Sequence, residues 1–147
     1  MIRPATIDDR GAIYAMADEL AANGPITKEG FKSSFDQILK LPHMGLLVAE
    51  YDGILLGYVL ASYYPCFYAV SNVAWTAELF VDSAHRRKGI GRALMGGIEK
   101  WAIENECTLN TLATRRAGSF YSAISYDESA GYYKRKLAGE QDVDLNT

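Results

Sequence analysis

Cysteine and histidine are scarce in this chain. Cys66 and Cys107 stand far apart, and His43 and His85 share no metal-ligand spacing with them. Neither a disulfide framework nor a zinc site is therefore expected. Long apolar runs are missing too. None reaches the roughly 18 residues a membrane span needs, and the first residues lack the apolar core of a leader. The expectation is a cytoplasmic protein without membrane or metal partners. An excess of basic residues is also absent. The net charge is −3, which argues against general nucleic-acid binding. Glycine- or proline-rich linkers and internal repeats are not found. With 147 residues and 49% hydrophobic content, one domain over 1–147 with a substantial core is expected.

Against this background one stretch stands out. Residues 77–94 read AELFVDSAHRRKGIGRAL. Ala77 to Val81 is apolar apart from Glu78, which suits a buried strand. Asp82 to Lys88 is polar and carries a bend. Ile90, Leu94, Ile98 and Trp101 then recur at helical spacing. A strand that feeds a helix through glycines leaves backbone N–H groups free at the helix start, where the helix dipole favours negative charge. Arg86, Arg87, Lys88 and Arg92 crowd this turn in a chain that is otherwise acidic. A phosphate-bearing ligand is the expectation.

Two phosphate motifs are excluded. The pattern G-x-x-x-x-G-K-[ST] does not occur. The dinucleotide pattern G-x-G-x-x-G fails after Gly89 and Gly91, because Leu94 occupies the third glycine. What stands is Arg86-x-x-Gly89-x-Gly91, preceded by Leu79-x-Val81. This resembles the acetyl-CoA signature of the GNAT superfamily of N-acetyltransferases.

The remaining chain supports the resemblance. Ile2-Arg3 reads as a short strand. Thr6 and Asp9 form a weak capping box for a helix with Ile13, Met16, Ala17 and Leu20 on one face, stopped by Asn23-Gly24-Pro25. Thr27 caps a second helix bearing Phe31, Phe35, Ile38 and Leu39, closed at Leu41-Pro42. Gly45–Glu50 and Ile54–Tyr63 flank Asp52-Gly53, a strong hairpin signal. Tyr63 to Tyr68 follows as an aromatic turn region, either packed under a loop or forming a wall that reads an amine by cation–π contact. Asn72–Val81 is a strand and Gly89–Glu104 a helix. The Gly96-Gly97 pair in that helix suggests close packing on the sheet. Cys107–Thr114 is a strand, Arg116–Ile124 a short helix, Ala130–Leu137 a last strand, and 139–147 a fraying tail. The fold class expected is α/β (α+β): a mixed, mostly antiparallel sheet with helices on both faces, in the order β-α-α-β-β-β-α-β-α-β. That is the order of the GNAT fold. A second segment, Thr114-x-x-Ala117-x-x-Phe120-Tyr121 then Ser125-Tyr126, is similar to the family's N-x-x-A-x-x-F-Y…G-[FY]. It departs at Thr114 and Ser125. Arg87 stands where the motif often has a further glycine, and Ser83 replaces a common proline.

The resemblance implies direct transfer of an acetyl group from acetyl-CoA to an amine, both bound together. Backbone N–H groups from Arg87, Lys88, Gly89, Ile90, Gly91 and Arg92, with the Arg86 side chain, would hold the pyrophosphate. Main-chain groups of Leu79, Phe80 and Val81 would pair with the pantetheine arm, and Thr114 would add a polar contact. Tyr121 matches the family's tyrosine acid, which protonates the departing thiolate. An amine acceptor must first lose a proton at neutral pH. Glu78, the lone acid in an apolar strand, is either its general base or a structural carboxylate paired with an arginine or the backbone. His43 and His85 read as surface residues. Exposed edges admit a homodimer. Two other readings stay open: a catalytically silent CoA-binding or regulatory module, and an RNA- or phosphoprotein-binding domain. The acceptor itself is not legible.

Overall fold

A computed structural model describes residues 1–21 and 24–137. Its elements are β1 (Ile2–Pro4), α1 (Arg10–Leu20), α2 (Lys28–Lys40), β2 (Met44–Tyr51), β3 (Ile54–Cys66), β4 (Ser71–Val81), α3 (Ile90–Glu104), β5 (Cys107–Leu112) and α4 (Gly118–Ala123). The sheet runs β1-β2-β3-β4-β5. All neighbours are antiparallel except β4 and β5, which are parallel. The mixed, mostly antiparallel sheet is as expected.

Strand alternation divides the core into two layers. Leu46 and Val48 of β2 join Tyr58, Phe80, Ile13, Met16 and Phe35 under α1 and α2. Leu47 and Ala49 point the other way and pack with Leu94, Met95 and Ile98 of α3. Helices therefore cover both faces. Gly97 lets α3 sit close: a Cβ there would come within 3.0 Å of Ile2 and 3.1 Å of Leu47. Gly96 has open space around it, so the expected close packing holds for one glycine of the pair.

Local signals in the sequence account for most boundaries. Asp52 (φ 52°) and Gly53 (φ 77°) are both left-handed, the geometry of a two-residue hairpin turn whose twist suits the flanking strands. Thr27 caps α2 by accepting the Gly30 N–H at 3.1 Å. At α1 the carboxylate half of the capping box is present, with the Thr6 N–H donating to Asp9 at 2.8 Å. The first turn, Ile7–Asp9, is a 3-10 turn, so the α-helix proper starts at Arg10. Arg3 grips Asp9 through both guanidinium nitrogens at 2.8 and 2.9 Å and also reaches Glu50, tying β1, this turn and β2 together. Asn23, part of the expected stop for α1, and the expected tail over 139–147 lie outside the described residues.

Two expectations fail. The last strand over Ala130–Leu137 does not form; residues 126–137 are irregular. Tyr132 and Tyr133 are adjacent and three consecutive cations follow, so the segment offers no alternating face for a sheet to bury. The aromatic run from Tyr63 is a turn region only at Phe67 and Tyr68. Tyr63 to Cys66 continues β3, and Tyr63 packs on Trp101 with ring centroids 5.5 Å apart.

Candidate active site

The site is organised by a change of partner within β4. From Asn72 to Thr76 the strand pairs with β3 on one side and β5 on the other. The β5 pairing stops at Thr76↔Leu112, whereas the β3 pairing continues to Gly57↔Val81. Between the two stretches the register slips, leaving Ala77 as an extra residue against Leu60 and Ala61. Such a bulge sharpens the twist and turns a strand away from its neighbour. Beyond it, one edge of β4 faces no strand among the described residues.

Main-chain groups alternate between edges along a strand. The Asp82 N–H donates to the Leu56 carbonyl at 2.7 Å. A Cβ on Gly57 would lie 2.5 Å from the Phe80 carbonyl oxygen, so that oxygen also points at β3. Leu79 and Val81 consequently present their N–H and C=O groups to the open edge. The Arg86 side chain already donates to the Val81 carbonyl at 3.2 Å. The side chains of Leu79 and Val81 pack toward α3, and Phe80 packs under α1 and α2.

After β4 the chain turns through a 3-10 turn (Ser83–His85), where Asp82 and His85 Nδ1 lie 2.7 Å apart. Arg87 (φ 65°) and Gly89 (φ 83°) are left-handed. This explains the glycine often found at the position of Arg87, since a side chain there carries a steric cost of about 1–2 kcal/mol. No side chain caps α3. Its first backbone bond runs from the Ala93 N–H to Gly89, so the N–H groups of Ile90, Gly91 and Arg92 have no intrahelical acceptor. Arg86, Arg87, Lys88 and Arg92 are exposed around them. The two glycines differ in what requires them. Gly89 is held by its φ and faces open space, whereas a Cβ on Gly91 would lie 3.3 Å from the Phe120 ring.

A cleft of about 1790 Å³ opens beside the unpaired half of β4. Glu78, Leu79, Phe80, Arg86, Thr114 and Tyr121 line it; Val81 and the turn from Arg87 to Arg92 do not. Ile90 is buried in the core, so only its main chain is available to a ligand. Glu78 accepts a 2.7 Å hydrogen bond from the Tyr58 hydroxyl. Tyr58 is 2% exposed, and burial together with the Glu78 charge pushes its phenol well above the ordinary tyrosine range. It is a fixed, neutral donor. The second Glu78 oxygen takes no hydrogen bond from the described residues. Tyr121 packs edge-on against Phe120 and Tyr126, at 5.0 and 5.8 Å. Its hydroxyl has no partner among the described residues, and burial raises its phenol above the usual value. Thr114 accepts the Ala117 N–H at 3.0 Å and so shapes the entry to α4.

A second network holds the split between β4 and β5. Thr76 donates to Asn110, Asn110 donates to the Tyr126 hydroxyl, each at 2.9 Å, and Tyr126 donates to Glu99 of α3. Tyr126 is reached through Ser125 (φ 74°), at the position where the similar motif has glycine. The sequence reading missed both this network and Tyr58. The aromatic segment Tyr63–Tyr68 lies away from the cleft, and Phe67 at its tip is fully exposed. The aromatic residues that do line the cleft include Trp75 and Tyr132. His85 pairs with Asp82, and His43 is exposed.

Comparison with known proteins gives the family and the fold. The model of the acetyltransferase (GNAT) family matches residues 13–132. An uncharacterized N-acetyltransferase of Bacillus subtilis (strain 168), YhfO, is 32% identical over 93 residues, covering 59% of this chain and 61% of that protein's length. Among solved structures, glucosamine-6-phosphate N-acetyltransferase from Arabidopsis thaliana superposes with a TM-score of 0.82 at 18% identity, over 94% of this chain and 98% of its own. The aminoglycoside N-acetyltransferase AAC(6')-Iy, in complex with CoA, gives a TM-score of 0.80 at 20% identity, over 94% and 95%. At these identities the structural likeness is one of fold.

Proposed function

The chain belongs to the acetyltransferase (GNAT) family, and from that premise we propose that it transfers the acetyl group of acetyl-CoA directly to an amine, both held in one complex. The observation that carries the reading is the open edge of β4 ending at an uncapped helix. The residues fit acetyl-CoA part by part. The N–H groups of Ile90, Gly91 and Arg92, with the surrounding cations, suit its pyrophosphate. The exposed main-chain groups of Leu79 and Val81 suit its amide-bearing arm, in the manner of an added strand. The thioester, when bound, supplies an activated acetyl group.

The chain's own groups then manage the protons. The Glu78 oxygen left free by Tyr58 accepts a proton from the ammonium of the acceptor, directly or through water. The nitrogen forms the C–N bond as the C–S bond breaks and loses its second proton to solvent. Tyr121 gives its proton to the thiolate and regains one from solvent. The sum is R–NH3⁺ plus acetyl-CoA giving R–NH–acetyl, CoA thiol and one proton. Because burial raises Tyr121, its phenol stays protonated throughout the neutral range.

Calorimetric titration with acetyl-CoA, dephospho-CoA and ATP tests the reading. Acetyl-CoA is expected to bind, and Gly89→Val to weaken it by about tenfold or more through distortion of the turn. Absence of acetyl-CoA binding overturns the reading. Binding without acetylation of any amine favours the silent module instead.

A further inference from the structure

The charges lining the cleft are segregated. Its cations are Arg86, just after β4, and Arg115 and Arg116, between β5 and α4. Its acids are Glu78 on β4 and Glu19 on α1. The wall built by α1, α2 and β3 contributes no cation. It offers Phe31, Ile38 and Leu60 instead. Near it, Trp75 of β4 stacks on Tyr132, with centroids 6.1 Å apart and planes within 14°. Both rings line the cleft, and Tyr132 is 52% exposed. Lys134, Arg135 and Lys136 follow Tyr132 but lie outside the lining.

This arrangement discriminates among amines. An acceptor carrying a carboxylate or phosphate beside its nitrogen would set that anion near Glu78, against an apolar wall without a cation. Unpaired charge held near apolar surface and a like charge is strongly disfavoured. An ammonium on an uncharged body meets the free oxygen of Glu78 and lays its remaining surface on apolar and aromatic groups. Tyr58 holds one Glu78 oxygen and leaves the other free to face the ammonium. Resting on the acetyltransferase reading, we infer that the acceptor is a primary amine on an apolar, aromatic-bearing body with no carboxylate or phosphate next to the amine.

The test compares matched acceptors at saturating acetyl-CoA, reading release of the CoA thiol: tryptamine against tryptophan, tyramine against tyrosine, with spermidine and glucosamine 6-phosphate as contrasts. The amines are expected to exceed their amino acids in kcat/KM by about tenfold or more. The double variant Trp75→Ala, Tyr132→Ala is expected to raise KM for tryptamine while leaving acetyl-CoA affinity unchanged. Preferred acetylation of an amino acid, of the sugar phosphate or of spermidine overturns the inference and leaves the acetyltransferase reading standing. Bound acetyl-CoA with no acetylation of any of these compounds overturns the inference, whereas absence of acetyl-CoA binding overturns the acetyltransferase reading as well.

Discussion

The two halves of β4 are one continuous strand with opposite roles. In the first half, Val73, Ala74 and Thr76 are buried, and the backbone is bonded on both edges. In the second half, Ala77 bulges, one edge is given up, and Glu78 enters the cleft with Leu79 exposing its main chain beside it. The first half resembles ordinary sheet core. The second resembles half of a sheet waiting for its next strand. Pairing stabilises a strand, and the same groups left unpaired become a binding surface. On the proposed reading, function in this chain sits where the fold withholds a partner.

This contrast can be broken one side at a time. The largest effect belongs to the open half. Glu78→Gln should lower acetyl transfer by about 10²–10⁴-fold while acetyl-CoA affinity stays level, since general-base catalysis carries that range. Initial velocities and calorimetry on one preparation check both parts. Tyr121→Phe comes next, with a loss of about 10²-fold in kcat and no change in acetyl-CoA Kd. The pH dependence follows from the direction of its shift. Burial raises the phenol above its ordinary value near 10, so the donor form persists up to at least that pH. The alkaline fall in kcat due to this group should therefore lie above pH 10, and Tyr121→Phe should abolish it. A fall centred near neutrality that persists in the variant would remove the acid role.

The paired half should answer in stability. Asn110→Ala breaks the chain of bonds from Thr76 to Tyr126 and leaves buried Thr76 without its acceptor, at a cost of about 1–3 kcal/mol. Thermal or urea unfolding reads this loss. The smallest effect is a gain. Ser125 holds a left-handed turn after α4, closed by the Tyr126 N–H to Tyr121 at 2.9 Å. Ser125→Gly should relieve about 1 kcal/mol of backbone strain and raise the unfolding midpoint.

The contrast also separates what was legible in the sequence from what was not. Local patterns were legible. Asp52-Gly53, the Thr27 cap, the stripe of Ile90, Leu94 and Ile98, and the glycine turn each act within a few residues, and each appears where the sequence places it. Pairing between distant strands was not. Tyr58 meets Glu78 only because β3 and β4 align Tyr58 with Phe80 and Leu60 with Glu78, a register fixed by the bulge at Ala77. Neither strand announces that bulge in its composition. The start of the aromatic run, Tyr63 to Cys66, departs from expectation for a related reason. Aromatic residues serve strands and turns alike, and only the length of the pairing with β4 shows that β3 reaches Cys66. Ala130–Leu137 was misread because two tyrosines suggested a strand, although their adjacency denies it an alternating face.

Amide hydrogen exchange, resolved by residue and measured with and without acetyl-CoA, tests the central claim most directly. The account predicts that the Leu79 and Val81 amides gain protection on adding acetyl-CoA, while Val73 to Thr76, already bonded on both edges, stay unchanged. Unchanged exchange at Leu79 and Val81 in a protein saturated with acetyl-CoA would contradict it.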